Sequence, residues 1–274
     1  MTGWTVDSPQ RLTVDGPVTR LDVRLVSGRL NVVAADGPAR VDVTRVGRRP
    51  VLVTHQDGRL FIRQERGRGW ADALRWFRAI THHSRVDVSV AVPADVFADL
   101  SLVAGSLVAS GLRQQTRVDV TAGQITLMGL RGSTAAKITS GPVEALSVGG
   151  DLTLETVSGE VILASSAAER VHVQTVSGAI TCDLDNARRS EIRLTTISGS
   201  ITVRVREDSD LAVRLHTASG RITSGFPQVH TSTFPLANSE GVLGAGEGRL
   251  WASATSGSIA LLARPVDANQ EEQP

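Results

Sequence analysis

The chain has 274 residues, of which 41% are hydrophobic but only 3% are aromatic, and it contains no tyrosine. Its formal net charge of +1 at pH 7 excludes a strong overall attraction to nucleic acid or to acidic membranes. Twenty-six glycines spread along the chain favour turn-rich β structure, with a narrow core of aliphatic side chains.

The beginning of the sequence has no basic region followed by an apolar stretch, and no window approaches the roughly 18 to 20 apolar residues of a membrane span. A cytoplasmic location is therefore expected, with a membrane-peripheral location as the alternative. The single Cys182 cannot form an intrachain disulfide, which agrees with a reducing compartment.

Alternating strands are predicted first, at residues 11–14, 21–26, 30–34 and 41–46. Residues 51–54 and 60–63 flank Gln56-Asp57-Gly58, which is a hairpin signal. Because an open coil of stacked strands would leave an unpaired edge, residues 1–99 are predicted to form an amino-terminal β cap.

The segment 66–85 interrupts this pattern with a basic, aromatic sequence, for which a short helix from about Trp70 to Ile80 is predicted. From Arg45 to Arg85 there are ten Arg against three acidic residues, a local excess of 10 − 3 = +7. Such a helix can bind a membrane surface or a partner groove, or it can cover an end of the fold. The candidate interaction residues are Trp70, Arg75, Trp76, Phe77 and Arg78.

A repeat dominates the chain, in which Ser or Ala followed by Gly stands at nine equivalent positions. Between Gly105 and Gly220 the successive steps are 18, 18, 18, 19, 21 and 21 residues. An aliphatic residue stands two positions after each Gly, and an apolar residue five positions before it. The nine predicted structural corners are Gly28, Gly105, Gly123, Gly141, Gly159, Gly178, Gly199, Gly220 and Gly257.

This alternation has the period of two that strands require, and glycine tolerates the positive φ of a corner between them. Stacking such units pairs each strand with its equivalent in the next coil. The sequence therefore predicts an all-β fold, a single-chain parallel β-solenoid with coils of about 18 to 21 residues. The predicted solenoid covers residues 100–264, with a surface loop at 226–249 and an acidic tail at 265–274.

The repeats TVSGEV, TVSGAI, TISGSI, TASGRI and ATSGSI resemble the bacterial toast-rack family, also called the adhesin β-repeat family of unknown function. The resemblance covers residues 10–262. It implies a right-handed parallel β-solenoid and, for some members, a link to envelope stress. It implies no catalytic residues, and the segment 66–85 departs from the plain repeat.

Other candidate chemistry is weak when each residue is compared with its ordinary structural role. Asp183 and Asp185 are predicted to lie at a solvated turn, because acid–base catalysis needs carboxylates separated across a cleft. His82 and His83 diverge in an extended segment and have no nearby partner ligands. Cys182 occupies a position that other coils fill with Val or Leu, so it is predicted to be a core residue.

Two further motifs have structural interpretations. The serines before the corner glycines are equivalent by position, whereas a nucleophile needs one serine with a base. Gly244, Gly246 and Gly248 resemble a phosphate-binding loop, but a strand follows them instead of a helix.

The predicted function is a non-enzymatic β-solenoid scaffold or adhesin-like interaction module with a protein partner or a second copy of itself. It is predicted to need no cofactor or metal and to bind no nucleic acid. One alternative is a carbohydrate-active β-helix enzyme. Another is a peripheral membrane stress sensor that uses residues 66–85.

Overall fold

A computed structural model describes residues 2–47, 49–64, 85–184, 189–232 and 237–265. These residues form strands and turns, with no helix among them, and the parallel pairing of most strands confirms the all-β prediction. The chain divides into two compact units, unit 1 at Met1–Val143 and unit 2 at Glu144–Pro274. The predicted helix within 66–85 lies outside the described residues, apart from Arg85.

Among the described residues, unit 1 contains ten strands and unit 2 eleven, with one more at their boundary. The strands of unit 1 are β1 (Thr2–Val6), β2 (Gln10–Thr13), β3 (Arg20–Ala34), β4 (Arg40–Arg45), β5 (Val51–Gln56), β6 (Arg59–Gln64), β7 (Val86–Val92), β8 (Phe97–Ser110), β9 (Thr116–Met128) and β10 (Thr134–Ser140). Strand β11 (Val143–Leu146) follows at the boundary of the units.

Unit 2 contains the other eleven strands. They are β12 (Gly149–Ser158), β13 (Val161–Ser177), β14 (Ile180–Leu184), β15 (Glu191–Ser198), β16 (Ile201–Arg206), β17 (Leu211–Ser219), β18 (Ile222–Ser224), β19 (His230–Ser232), β20 (Ala237–Leu243), β21 (Gly248–Ser256) and β22 (Ile259–Arg264).

In unit 1 the parallel strands stack in the order β10, β9, β8, β3. On the other side of β3, its first half pairs with β6 and its second half with β7, both in parallel. Antiparallel strands follow, because β5 pairs with β6 and β1 with β5, while β4 pairs with β7 and β2 with β4. These antiparallel strands lie beyond the parallel stack, on the side of β6 and β7.

In unit 2 the strands that precede each corner stack in the order β12, β13, β15, β21, β17, all in parallel. The strands after the corners stack as β13, β14, β16, β22, β18. The last coil, β21 and β22, therefore lies between the two coils that precede it in the chain. Antiparallel β20 then pairs with β17, and β19 pairs with β20.

The segment 226–249 differs from the surface loop expected from its Gly, Pro, Ser and Thr content. It contains β19, β20 and the beginning of β21. The alternation of exposed and buried residues in β20 is short, and Gly241 interrupts it, so the sequence pattern was weak. Pairing with β17 stabilises β20 as a strand, although the local composition of β20 did not indicate one.

The corner glycines stack directly on one another in each unit. A Cβ on Gly105, Gly123 or Gly141 would fall on the carbonyl oxygen of the corner glycine in the preceding coil. In addition, φ is +138° at Gly105 and +125° at Gly141, values that side chains with a Cβ rarely adopt. Only glycine therefore satisfies both the close approach of the coils and the backbone conformation.

A core-facing threonine stands three residues before each of the corner glycines Gly159, Gly178, Gly199 and Gly220. Thr156, Thr175 and Thr196 follow one another in register, and all three are buried. In the stack farther along, Thr217 Oγ1 donates to the carbonyl oxygen of Gly257 at 2.8 Å. The sequence Thr-x-Ser-Gly thus places a small core-facing residue where the two strands of a coil converge.

Candidate functional site

The outward face of unit 2 carries Trp251 between two arginines. Because β21 lies between β15 and β17, Trp251 pairs in register with Arg193 on one side and with Arg214 on the other. Its chain neighbours Leu250 and Ala252 are buried, so the period of two directs Trp251 outward. The indole is partly exposed, whereas both arginines are exposed.

Each arginine beside Trp251 has a distinct contact. The guanidinium carbon of Arg193 lies 4.8 Å from the centroid of the Trp251 ring, within the range of a cation–π interaction. Arg214 Nε lies 3.8 Å from Glu240 Oε1 on β20. Since the side chains of Arg214 and Glu240 are 74% and 72% exposed, this pair contributes little to stability and can be rearranged by a ligand.

An open cleft of about 680 Å³ lies beside this row of side chains. In the neighbouring row, Ala212 stands in register with Arg249 on one side and Val242 on the other. The small Ala212 side chain leaves a depression in the surface between these larger residues. The other residues that line the cleft are Glu191, Ile192, Arg193, Val213, Arg214, Glu240, Gly241, Leu250 and Trp251.

The charges in this cleft are mixed. Three arginines and two glutamates line it, which gives a formal charge of 3 − 2 = +1. The cleft thus combines an aromatic surface, guanidinium donors and carboxylate acceptors, which is the composition of a binding site. We refer to it as the Trp251 cleft.

A second cleft, of about 510 Å³, lies at the first corner of unit 1. Gly28 and Gly105 form its recessed wall, and Arg29, Arg45 and Arg85 line it. Arg45 is paired with Asp87 at 3.8 Å. Here the cleft has small residues and basic groups but no aromatic side chain.

The five predicted interaction residues, Trp70, Arg75, Trp76, Phe77 and Arg78, lie outside the described residues. Arg85, where the predicted insertion ends, lines the second cleft. A role for residues 66–85 in membrane or partner binding therefore stays a prediction.

Asp183 lies in strand β14 and not in the turn expected from the sequence. Its side chain is 15% exposed and accepts hydrogen bonds from Arg204 and from Arg264 Nη1, the latter at 3.1 Å. The prediction of a turn gave the turn preference of Asp too much weight, because the strand pattern of the repeat continues through Asp183. Asp183 thus joins β14 to β16 and β22, and it is occupied by structural partners.

Cys182 is 1% exposed and lies in register with Leu163 and Val203. Burial raises the pKa of its thiol far above the ordinary value, and the charge of Asp183 adds to this effect. A protonated, enclosed thiol is a poor nucleophile, so its position in the core explains its presence.

Gly244 and Gly246 form the turn between β20 and β21, with φ of +55° and +69°. Asp210 holds this turn, since its Oδ1 accepts from Ala245 N at 2.9 Å and its carbonyl oxygen from Gly248 N at 2.9 Å. The glycines therefore serve a tight turn. Within the described ranges, no group of three or more His, Cys, Asp or Glu side chains is placed to hold a metal ion.

Sequence reasoning missed the Trp251 cleft. Its signal was an aromatic residue at an outward position in a chain with few aromatics. The flanking Arg193 and Arg214 become neighbours only because β21 lies between β15 and β17, and this order does not follow the chain.

Parallel strands stacked in register on Ser-Gly or Ala-Gly corners, with an aromatic cleft on an outer face, define the class of parallel β-repeat proteins. The chain belongs to the Toastrack DUF4097 family, whose model matches residues 18–262. This match confirms the family resemblance seen in the repeats. None of the described residues belongs to a helix long and apolar enough to cross a membrane.

Three solved structures are similar to this chain over most of its length. A "putative adhesin" from Bacteroides fragilis has a TM-score of 0.50 at 13% identity, over 93% of this chain and 99% of that one. A "putative lipid binding protein" from Parabacteroides distasonis has a TM-score of 0.35 at 10% identity, over 93% of this chain and 97% of that one. A "putative cell adhesion protein" from Clostridium sporogenes has a TM-score of 0.27 at 9% identity, over 94% and 100%. No curated protein sequence matches the chain.

Proposed function

We propose that this protein is a non-enzymatic, adhesin-like binding module built on a parallel β-solenoid. The observation that carries the proposal is the Trp251 cleft, in which a partly exposed indole stands between two exposed arginines. A large aromatic side chain loses the benefit of burial at such a position, unless a ligand covers it. The adhesin description of a solved structure with the same fold supports an interaction role.

The arrangement of carboxylates favours binding over hydrolysis. Glu191 and Glu240 lie on β15 and β20, which are separated by β21 and β17. Three strand spacings and an offset of two residues along the strands place their backbones about 16 Å apart. Each glutamate stands in register with an arginine, Glu191 with Arg249 and Glu240 with Arg214, so the two are not arranged as a catalytic pair. Asp183, the other acidic candidate, is held by two arginines.

A binding measurement with isolated bacterial cell envelopes tests this function. The wild-type protein is expected to sediment with the envelopes, and Trp251→Ala is expected to remain in the supernatant. Phe97→Ala is the matched control, because Phe97 is an aromatic residue of unit 1 that is 46% exposed and does not line the cleft. Failure of the wild type to sediment, or equal binding by Trp251→Ala, would overturn the proposal.

A further inference from the structure

We infer that the Trp251 cleft binds a chain of acidic sugars, such as a polyuronate, and this inference rests on the binding function proposed above. The ligand class follows from three features of the cleft taken together: its aromatic surface, its arginines and its glutamates. Each feature alone fits several ligands, but their combination restricts the choice.

The aromatic surface fits a pyranose ring. Arg193 covers part of the Trp251 indole at 4.8 Å, and the cleft lies beside the same ring. The C–H faces of sugars are apolar enough to pack on an indole, while their hydroxyl groups remain free for polar partners. Inorganic phosphate or a small dianion has no such apolar face.

The arginines fit carboxylate groups. Arg193 and Arg214 flank Trp251 from the two neighbouring strands, so two strand spacings separate their backbones by roughly 10 Å. That distance is comparable with the repeat of two sugar units in an extended glycan. Planar guanidinium groups bind carboxylates through two parallel hydrogen bonds, which makes arginine suitable for uronates.

The glutamates argue against a ligand that carries only negative charge. Glu191 and Glu240 line the same cleft as the arginines and would repel a phosphate cluster or a highly acidic peptide. The hydroxyl groups of a sugar can donate hydrogen bonds to these carboxylates. A peptide is further disfavoured because β15, β21 and β17 are each paired on both sides and offer no free edge for strand addition.

A titration with two matched oligosaccharides tests the ligand class. Tetragalacturonate is the acidic probe, and its methyl ester, which has the same sugars without the charge, is the control. We expect the acid to bind and the ester to bind at least about 10-fold more weakly, with affinity for the acid falling as salt is raised. Inorganic phosphate serves as a third probe and is expected not to compete at the same concentration.

The variants separate the cleft from the rest of the surface. Arg214→Gln should weaken tetragalacturonate binding about 10-fold, because a charge-assisted hydrogen bond is lost. Arg221→Gln is the control, since Arg221 is an exposed arginine beside the Gly220 corner of unit 2 and does not line the cleft. Both side chains are exposed, so both variants should retain the wild-type melting temperature.

The possible outcomes distinguish the inference from the function on which it rests. If neither oligosaccharide binds, but Trp251-dependent sedimentation with envelopes persists, the ligand class is wrong and the binding function stands. Equal binding of acid and ester, or competition by phosphate, would also overturn the ligand class. Loss of both sedimentation and saccharide binding from the wild type would remove both proposals.

Discussion

Gly199 stacks directly on Gly257, although β16 to β21 separate them in the chain. Gly199 N donates to the carbonyl oxygen of Ser256 at 3.0 Å, and a Cβ on Gly257 would fall on the carbonyl oxygen of Gly199. Gly257 in turn donates from its N to the carbonyl oxygen of Ser219 at 2.9 Å. The corner of the last coil is therefore enclosed on both sides.

Replacing Gly257 with Ala is expected to destabilise unit 2 by about 3 kcal/mol or more, measured by urea denaturation. The substitution combines backbone strain at φ of +151° with overlap on the backbone of the neighbouring coil. Gly129→Ala is the control, because Gly129 has φ of +61° and open space around its Cα. It should cost about 1 kcal/mol from strain alone, and equal losses would contradict the stacked corner.

The position of β21 between two strands predicts that its backbone amides exchange slowly with solvent. Both neighbours of β21 are parallel strands, whereas in the described part of the chain β19 pairs with β20 alone. The amides of β21 should therefore exchange among the slowest in unit 2, and those of β19 among the fastest. Fast exchange in β21 would instead indicate that the last coil is a terminal edge.

The repeat made much of the fold predictable. The spacing of Gly105 to Gly220, the core-facing aliphatics and the hairpin around Asp57-Gly58 are local signals with a period that the sequence displays. The position of β21 and β22 was not predictable, because a coil with the same alternation fits beside any other coil. Pairing between strands that are distant in the chain decides among these positions, and this pairing cannot be deduced from one sequence.

The Trp251 cleft was unpredictable for the same reason. Trp251 and Arg193 stand at equivalent positions before their corners, but a stack in chain order would place β17 next to β15. Trp251 would then lie beyond Arg214, and Arg193 would have no aromatic partner. The chemistry of the cleft is thus a consequence of strand order in addition to residue type.

Asp183→Asn is expected to lower the stability of unit 2 by about 1 to 2 kcal/mol in urea denaturation. Asp183 is mostly buried and accepts from Arg204 and Arg264, so the substitution weakens two charge-assisted hydrogen bonds between coils. Asp151→Asn is the control, because its partner Arg170 is 68% exposed. A loss for Asp151→Asn as large as that for Asp183→Asn would show that burial of Asp183 is unimportant.

The size and apolar surroundings of the Cys182 site predict different changes in stability for two substitutions. Cys182→Val should be nearly neutral, because Val203 occupies the equivalent position in the neighbouring coil. Cys182→Ser should cost about 1 to 3 kcal/mol by burying a hydroxyl group in an apolar core. Thermal denaturation of both variants measures this difference, and equal stability of the two would place Cys182 outside the core.

The pKa of Cys182 predicts a loss of stability in alkali. Burial raises the thiol pKa in the folded state, whereas the unfolded chain loses this proton near pH 8.5. Below that pH the thiol is protonated in both states and stability is unaffected. Above it the unfolded state binds fewer protons than the folded state, so the free energy of unfolding falls by about 1.4 kcal/mol for each pH unit.

This effect can be isolated because few other groups titrate in the same range. The chain has no tyrosine, and Lys137 is its one lysine. Urea denaturation at pH 7, 8, 9 and 10 should show the wild type losing about 2 kcal/mol relative to Cys182→Val between pH 8.5 and 10. If the difference between the two proteins stays constant over this range, the folded protein releases the thiol proton as readily as the unfolded chain, and Cys182 is open to water.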